Sequence, residues 1–384
     1  MKNKQSQKNI LPDWQQVKLG DVCKVNQGLQ IPISERHNQP GKNRKVYITT
    51  QYLNGKSDTE YIEEYSNSVV CTKDDILMTR TGNSGIVVTG VEGVFHNNFF
   101  KVKPNENLDS KLLVYNLRSP YFQYKLLKLA GASTIPDLNH GDFYSIDLLL
   151  PPIPEQKRIV SILETWDNTI GRLSKKIKLK KQLKKGLMQQ LLTGNKRLPG
   201  FGDNWEMFEF NDMFNVLKKP KGLKSNNYES VGEYPIVDQS ANKVYSGYTN
   251  FKEYVYDYSN RPVILFGDHS RVIKFIDERV VFGNDGIKLF ENKENLDINF
   301  GFYLLKNKRI PETGYNRHFK YLDISSFEIP DTDEQKAIAS ILILADKEIN
   351  LLQQKLDEFK KQKKYLLNNL VTGKIRTPES IKVK

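Results

Sequence analysis

The sequence predicts an α+β protein in which one globular-plus-helical arrangement occurs twice. Three observations predict this fold class. A long helical pattern recurs at a constant offset of 179 residues, short β-rich runs precede each copy, and positive charge is concentrated on the first helical copy. We expect two mixed, β-rich domains at residues 1–152 and 201–330. Two long helices at residues 153–200 and 331–384 should join them as an antiparallel coiled coil, with an approximate twofold relation between the halves.

Each globular segment combines short strands with little helix. Residues 45–48, 86–88 and 261–266 are apolar runs rich in β-branched and aromatic side chains, and glycine, asparagine and aspartate separate such runs. A helix is expected at residues 110–129, with a counterpart at 297–306. Two drifted copies of an ordinary domain would give the same repetition, so repetition alone defines no function. Matched residues upstream of the helices include Trp14 and Trp205.

The duplication is most regular in the two helices. Pro-Glu-Gln-Lys at 154–157 and Asp-Glu-Gln-Lys at 333–336 open the copies, which correspond without a gap as far as Arg197 and Arg376. Apolar residues recur in alternating steps of three and four, which is the pattern of a coiled-coil seam. The predicted seam consists of Ile159, Leu163, Trp166, Ile170, Leu173, Ile177, Ile338, Leu342, Ala345, Ile349, Leu352, Leu356 and Phe359.

Lysine interrupts the apolar seam at three positions. Lys180 and Lys184 do so in the first helix, and Lys363 does so in the second. A polar residue in a coiled-coil seam can fix register and orientation at some cost in stability. We therefore expect the seam lysines to specify how the helices pair.

The positive charge indicates a polyanionic partner. The chain carries 58 lysines and arginines against 45 aspartates and glutamates, a formal net charge of +13. Most of the excess lies between Gly171 and Arg197, where no acidic residue occurs. The lysines of this run either contact phosphate or form the solvated outer face of the coiled coil. The candidates for phosphate contact are Lys175, Lys176, Lys178, Lys181 and Lys185.

No residue pattern indicates catalysis by this chain. Its two cysteines and five scattered histidines lack the spacing of metal ligands. The sequence also lacks a glycine-rich phosphate-binding loop and an Asn-Pro-Pro-Tyr or Asp-Pro-Pro-Tyr motif. No run of eighteen or more apolar residues occurs, and the start of the sequence lacks the apolar stretch of a signal peptide. We expect a cytoplasmic binding protein that holds no metal or cofactor itself.

The motifs of the chain resemble those of a known family. Leu-Pro-Pro-Ile-Pro-Glu-Gln-Lys at 150–157 and the Thr-Gly helix endings at 193–194 and 372–373 are similar to helix boundaries in the specificity subunit of type I restriction–modification enzymes. The resemblance covers essentially the whole chain. One departure is Asp333, where the first copy has Pro154, and it affects only the helix start. Further segments that resemble the family are 75–82, 234–240 and 314–318.

The resemblance implies a function and a set of partners. The two globular domains would be target recognition domains, each reading half of a bipartite site in double-stranded DNA. The partners would be two modification (methyltransferase) subunits that carry S-adenosylmethionine and restriction (motor/nuclease) subunits that use ATP and Mg²⁺. The chain would direct methylation or cleavage by these partners without catalysing either reaction. From the repeat alone, an antiparallel helix pair would set the distance between the half-sites, and parallel packing of helices from two molecules is the alternative.

Two other interpretations stay open at this point. The chain could be an autonomous DNA-modifying enzyme with an unrecognised site. It could also be a coiled-coil scaffold that binds nucleic acid without sequence specificity. A purified chain that cleaves or methylates DNA unaided would favour the first of these alternatives.

Candidates for base contact lie in polar turns, because readout needs side chains that donate and accept hydrogen bonds at base edges. Arginine can bind guanine through two hydrogen bonds, and glutamine can bind adenine in the same way. Alternatively, turn side chains bond their own backbone, Arg271 forms a surface salt bridge and His269 is a satisfied imidazole. The candidates are Thr79, Arg80, Thr81, Asn83, Ser84, Ser133, Thr134, Gln239, Ser240, Asp268, His269, Ser270, Arg271, Arg317 and His318.

Overall fold

The protein forms two compact units, each with one globular domain and part of both long helices. The first unit comprises residues 1–173 and 355–384, and the second comprises residues 174–354. The mixed α+β class is therefore confirmed, and each unit is assembled from segments that are distant in sequence. This computed structural model describes residues 13–130, 137–241, 243–284, 286–314 and 316–381.

The globular part of unit 1 contains two four-stranded sheets and one strand pair. Its strands are β1 (Gln15–Lys18), β2 (Cys23–Gln27), β3 (Lys45–Ile48), β4 (Tyr61–Ile62), β5 (Val70–Cys71), β6 (Ile76–Thr79), β7 (Val87–Val88), β8 (Gly93–Phe95), β9 (Phe99–Pro104) and β10 (Asp147–Leu150). The sheet orders are β2-β9-β6-β7 and β4-β3-β8-β5, while β1 pairs with β10. Among the described strands of this unit, all pairs are antiparallel except β3 with β8.

The helices of the first half lie between and after these strands in the sequence. They are α1 (Leu19–Val22), α2 (Thr50–Leu53), α3 (Ser110–Arg118), α4 (Pro120–Ala130), α5 (His140–Tyr144) and the long α6 (Ile153–Leu191). The prediction of a single helix over 110–129 is wrong, because α3 and α4 are separate. Pro120 has no amide hydrogen and disfavours helical backbone in the preceding residue, and Ser119 is extended with ψ 147°.

Unit 2 repeats the topology of unit 1. Its strands are β11 (Glu206–Glu209), β12 (Phe214–Val216), β13 (Tyr234–Val237), β14 (Gly247–Thr249), β15 (Val255–Asp257), β16 (Val263–Gly267), β17 (Ile273–Ile276), β18 (Arg279–Phe282), β19 (Ile287–Asn292) and β20 (Ser326–Ile329). The sheet orders are β12-β19-β16-β17 and β14-β13-β18-β15, while β11 pairs with β20. Only β13 with β18 is parallel among the pairs of these described strands. The remaining helices are α7 (Phe210–Met213), α8 (Ile298–Asn307), α9 (Lys320–Asp323) and the long α10 (Thr332–Val371).

Apolar side chains from both long helices complete the core of each globular domain. Each domain packs against the start of one helix and the end of the other. Burying one large apolar side chain contributes about 1.5–3 kcal/mol, so these helix ends are part of the domains that they contact. The residues are Ile159, Val160, Leu163, Leu367, Leu370 and Val371 in unit 1, and Met188, Leu191, Leu192, Ile338, Ala339 and Leu342 in unit 2.

The two long helices run antiparallel within each unit. In unit 2, Lys180 pairs with Glu348 at 2.8 Å, and Lys184 pairs with Asp346 at 2.5 Å. Residue numbers therefore rise along α6 while they fall along α10, which confirms the predicted direction. The pairs that show the same direction in unit 1 are Asp167 with Lys363 and Glu155 with Arg376.

The predicted seam residues all lie on the less exposed faces of α6 and α10. In unit 1 the rings of Trp166 and Phe359 meet edge to face with centres 5.5 Å apart. The fully buried members are Ile159, Leu163, Ile177, Ile338, Leu342, Ile349 and Leu356. The half-buried members are Trp166, Ile170, Leu173, Ala345, Leu352 and Phe359.

Candidate nucleic-acid interface

The central strands β6 and β16 each end in a polar turn at the same place in the fold. The amide of Arg80, just after β6, donates to the Asn98 carbonyl at 2.7 Å. The amide of Asp268, just after β16, donates to the Gly286 carbonyl at 2.7 Å. The two turns are structurally equivalent, although the side chains at their first position have opposite charge.

Arg80 is held within the first turn by an ion pair. Its guanidinium donates to the Asp137 carboxylate at 2.9 Å and lies 5.5 Å from the ring centre of Phe100. The Thr81 hydroxyl donates to the same carboxylate at 3.0 Å. Only 17% of the Arg80 side chain is exposed, so contact with a base requires exchange of the Asp137 partner.

Two hydroxyls of the first turn bond the backbone, which agrees with the alternative interpretation of these residues. Thr79 is buried, and its hydroxyl accepts a hydrogen bond from the Ile86 amide at 2.9 Å. Ser84 is buried and donates to the Arg80 carbonyl at 2.6 Å. Thr79 and Ser84 therefore shape the turn, whereas Asn83 is exposed at its tip. Ser133 and Thr134 lie outside the described residues.

Asp268 and His318 form the buried framework of the second turn. The Asp268 carboxylate accepts a hydrogen bond from the Phe319 amide at 2.8 Å, and its carbonyl lies 2.9 Å from His318 Nδ1. The His318 side chain is 1% exposed. These two candidates therefore position the turn and its neighbouring loop from inside the domain.

A pocket of about 170 Å³ brings together several candidates of the second domain. Asp268, His269 and Arg317 line it together with Lys219 and Lys288. Sequence reasoning missed the two lysines, because only strand pairing brings Lys288 on β19 beside the end of β16. Three long cations in one pocket make it suited to an anionic or hydrogen-bond-accepting ligand.

Gln239 and Ser240 lie half-buried beside the second turn. The Gln239 side-chain oxygen accepts a hydrogen bond from the His269 amide at 3.2 Å. The Ser240 amide donates to the Asp238 carboxylate at 2.8 Å. The fold thus brings Gln239 and Ser240 beside the turn that contains Asp268 and His269, and Gln239 already uses its side-chain carbonyl oxygen.

The end of the second turn presents Ser270 and Arg271. The Ser270 hydroxyl accepts a hydrogen bond from the Val272 amide at 3.3 Å. Arg271 forms the salt bridge foreseen as its alternative role, with Glu312 at 3.0 Å. Its backbone has a φ of 61°, in the left-handed region that favours glycine.

The lysine run of α6 divides into two groups. Lys180 and Lys184 face α10 and pair with its carboxylates. The exposed group forms a positively charged outer face on which a phosphate backbone could lie. Its members are the phosphate-contact candidates Lys175, Lys176, Lys178, Lys181 and Lys185.

A buried glutamate joins the two ends of unit 1. Arg376 donates two hydrogen bonds of 2.7 Å to Glu155, and the Trp14 indole donates a third at 2.9 Å. Burial alone would raise the pKa of Glu155, but the bonds from Arg376 and Trp14 hold that pKa below its usual value. We call these three residues the carboxylate clamp of unit 1.

Unit 2 contains the equivalent carboxylate clamp. Arg197 donates hydrogen bonds of 2.9 and 2.7 Å to Glu334, and the Trp205 indole donates at 3.2 Å. The sequence repeat matches all three residue types, yet it does not reveal that the matched residues contact one another. The partners lie far apart in the chain, so the clamps are visible only in the folded protein.

One seam lysine in each unit binds an aspartate that also accepts a hydrogen bond from a tyrosine hydroxyl. In unit 2, Lys184 is buried and pairs with Asp346, which accepts a hydrogen bond from Tyr303 at 2.8 Å. Each lysine therefore compensates a carboxylate that faces the other helix. The equivalent residues of unit 1 are Lys363, Asp167 and Tyr115.

The described residues offer no group suited to metal binding or thiol chemistry. Among them, no cluster of three or more histidine, cysteine or carboxylate side chains could hold a metal ion. Burial raises the pKa of Cys23 to about 12 and that of Cys71 to about 11, so both thiols stay protonated near neutral pH. Within the same part of the chain, no helix has the length and apolar composition needed to span a bilayer.

Comparison with protein families identifies the chain. The type I restriction modification DNA specificity domain matches residues 12–185 and again residues 202–361. The chain belongs to this family. The two matches make it a specificity-domain protein with two copies of the domain, and the resemblance drawn from its motifs is confirmed.

Individual relatives of this specificity-domain protein share its length and its fold. It is 25% identical over 402 residues to the type I restriction enzyme MjaVIII specificity subunit of Methanocaldococcus jannaschii, over 95% of this chain and 93% of that protein. The crystal structure of the type I restriction-modification S subunit from M. genitalium superposes with a TM-score of 0.61 at 17% identity, over 97% and 99% of the two chains. A chain from a structural study of assembly and conformational transition of the type I system gives a TM-score of 0.55 at 16% identity, over 96% and 100%.

Proposed function

We propose that this chain is the DNA specificity subunit of a type I restriction–modification enzyme. It recognises a bipartite double-stranded DNA target and directs methylation or cleavage by partner subunits, without catalysing either reaction. The observation that carries the proposal is the pair of equivalent turns after β6 and β16. A duplicated fold that presents different polar side chains from the same position is suited to two different half-sites. Membership in the specificity-domain family supports the same conclusion.

The proposed partners supply the chemistry. They are two modification subunits that carry S-adenosylmethionine and restriction subunits that use ATP and Mg²⁺. The name of the M. jannaschii relative, a specificity subunit of a type I restriction enzyme, supports a multi-subunit assembly. Residues 1–152 and 201–330 are the proposed target recognition domains, and 153–200 and 331–384 are the proposed spacers.

Base contacts are assigned to the less buried side chains of the two turns. The buried Thr79, Ser84, Asp268 and His318 support these turns from within. The outer lysines of α6 contact phosphate and add affinity without sequence preference. The proposed base-contact residues are Arg80, Thr81, Asn83, Gln239, Ser240, His269, Ser270 and Arg317, while Arg271 is proposed to contact DNA without reading a base.

Genome-wide mapping of methylated adenines tests the function. Cells that carry the chain with its modification partner should methylate a two-part motif, and deletion of the chain alone should abolish methylation at that motif. Absence of any split motif would contradict the proposal. Methylation or cleavage by the purified chain alone would instead identify an autonomous enzyme.

Arg80→Ala tests the assignment of the first turn. The variant should lose discrimination in one half-site only, by roughly 1–3 kcal/mol, because a bidentate base contact is removed. Binding to duplexes with either half-site altered measures this effect. Asp137→Asn is the matched control, since it releases the ion pair but keeps the guanidinium, and it should preserve the base preference. A uniform loss on every sequence would identify Arg80 as a phosphate contact.

A further inference from the structure

We propose that a basic cavity in unit 2 binds the phosphodiester backbone of duplex DNA. The cavity has a volume of about 550 Å³ and lies between the turn after β16 and the end of α8. Arg271 lines it from the turn, while Lys306, Lys308 and Arg309 line it from α8 and the segment that follows. The inference rests on the proposed function and deepens it, by assigning a surface to the sequence-independent part of DNA binding.

The charge of this cavity is a local feature of an otherwise balanced domain. Residues 201–330 contain 17 basic and 19 acidic residues. In the described part of the chain, no acidic side chain lines the cavity. Glu312 pairs with Arg271 from outside, and 79% of its side chain is exposed. Four cations without matching carboxylates in the wall create a positive potential that attracts a polyanion.

The duplicated domain of unit 1 shows that the fold does not require this cavity. The Arg271 amide donates to the Gly267 carbonyl at 2.7 Å, and the Gly85 amide makes the same bond to Thr79 at 2.8 Å. Gly85 is therefore the structural equivalent of Arg271. In unit 1, helix α4 covers this position, and its Gln123 side chain donates to the Gly85 carbonyl at 2.7 Å.

Among the described residues of unit 2, no helix is equivalent to α4, and the cavity lies at the position that α4 covers in unit 1. The chain after α8 continues as Lys308-Arg309-Ile310, and Pro311 disfavours helical backbone in the residue before it. Lys308 and Arg309 thus line open space where unit 1 has packed helix. The position that helix α4 fills in unit 1 is therefore a cavity lined by basic side chains in unit 2.

Arg271 itself occupies a backbone conformation that favours glycine. Its φ is 61°, and Gly85 at the equivalent place has a φ of 92°. Left-handed backbone is unfavourable for a residue with a Cβ atom and persists only where the surrounding structure enforces it. A long cation at this position of the turn therefore points to a role for the side chain.

The lysine chemistry favours phosphate over base edges. The Nζ atoms of Lys306 and Lys308 lie 5.0 and 4.8 Å from the ring centres of Phe302 and Phe327. An aromatic face supports an ammonium group without consuming its hydrogen-bond donors. Ammonium is a compact charge without the fixed fork of guanidinium, so it binds phosphate oxygens with little geometric selectivity.

Salt-dependent DNA binding by the full-length chain tests the cavity. Fluorescence anisotropy would measure affinity for a target duplex and an unrelated duplex between about 50 and 200 mM salt. Lys308→Ala/Arg309→Ala should weaken binding to both duplexes and reduce the slope of log K against log salt by about 1–2. Glu312→Gln should bind both duplexes more tightly, because it removes the carboxylate that competes for Arg271. The exposed Lys252, outside the cavity, gives the matched control Lys252→Ala, which should retain the wild-type slope.

The outcomes of these measurements distinguish failure of the cavity proposal from failure of the proposed function. A wild-type slope in the double variant, with intact wild-type binding, would overturn the cavity and leave the proposed function standing. A changed base preference would also overturn it, since the residues would then read bases. Failure of the wild-type chain to bind either duplex would overturn both proposals together. Circular dichroism of each variant checks that the fold is retained.

Discussion

At the scale of single residues, the carboxylate clamp of unit 1 shows how a buried charge is stabilised. Glu155 is 2% exposed, and Arg376 and Trp14 both donate to it. The Thr377 amide adds a longer hydrogen bond of 3.4 Å. Loss of the carboxylate therefore leaves the donors of Trp14, Arg376 and Thr377 without their acceptor at the same time.

Glu155→Ala should destabilise unit 1 by about 3 kcal/mol, because it breaks an ion pair with a buried carboxylate. This value is the lower end of the range expected for buried ion pairs, since Arg376 is partly exposed. Urea unfolding followed by fluorescence measures the change. Glu164→Ala is the control in the same helix, since Glu164 pairs with Lys111 at the surface, and it should cost less than about 1 kcal/mol. Equal losses in the two variants would show that the clamp contributes no more than a surface pair.

The same carboxylate should make stability depend on pH at the acid end. Since the folded-state pKa of Glu155 is lowered, its contribution is present above the unfolded pKa of about 4.3. It is lost as pH falls from that value through the folded pKa. The unfolding free energy of the wild type minus that of Glu155→Gln should therefore shrink on acidification below about pH 4.3. A difference that is constant across this range would contradict the lowered pKa.

Residue types in the turns could be predicted from the sequence, but their orientation could not. The polar turns after β6 and β16 contain the predicted side chains. Thr79 and His318 nevertheless face the interior, because their hydrogen-bond partners are backbone groups that only the folded turn brings close. The same non-local packing explains why Lys288 was not foreseen beside this turn.

At the scale of elements, the helix pair has compensated charges at its polar seam positions. Lys184 is buried against Asp346, and its Nζ lies 5.0 Å from the ring centre of Tyr303. A seam charge of this kind costs desolvation, which its partner offsets only when the helices are in register. The pairs at Lys184 and Lys363 therefore favour one alignment of α6 with α10 over shifted ones.

Lys184→Met should destabilise unit 2 by about 1–3 kcal/mol, because the Asp346 carboxylate loses its cation. The double variant Lys184→Met/Asp346→Leu should recover part of this loss, since apolar residues of similar size can replace an ion pair, although the Tyr303 hydroxyl loses its acceptor. Denaturant unfolding of the wild type, both single variants and the double variant gives the coupling energy. Additive losses would mean that the two side chains do not act as a pair.

Local sequence patterns predicted the elements better than their connections. The three-and-four periodicity located α6 and α10, and β-rich runs located strands such as β3 and β16. The split between α3 and α4 follows from Pro120, a local signal that was present in the sequence. The sheet orders depend on pairing between distant strands, such as β3 with β8, which no local pattern encodes.

At the scale of the whole molecule, each compact unit depends on chain from both halves of the sequence. The core of unit 1 includes Leu367 and Leu370, which lie beyond the entire second globular domain in the sequence. Arg376 then completes the clamp with Glu155. The first domain therefore obtains part of its core, and the arginine of its clamp, from the C-terminal part of the described chain.

Truncation after residue 354 should consequently destabilise residues 13–173 more than residues 174–354. The truncated chain lacks the apolar side chains and the arginine that complete unit 1, whereas unit 2 keeps its own contacts. Hydrogen exchange followed by mass spectrometry locates the loss of protection. Truncation after residue 380 is the control and should leave both patterns unchanged. Equal loss of protection in both units would contradict this division.

The two carboxylate clamps use the same three residue types, although the polar turns of the two domains differ. Trp14 and Trp205 each lie at the start of a globular domain and meet a glutamate and an arginine at the helix ends. Suppose that the segment for one domain were exchanged for the other at the Glu-Gln-Lys motifs. The tryptophan of the transferred domain would then meet a glutamate and an arginine in either location. The clamps alone would therefore accept a domain from the other location, whereas the apolar side chains packed beside them differ between the units.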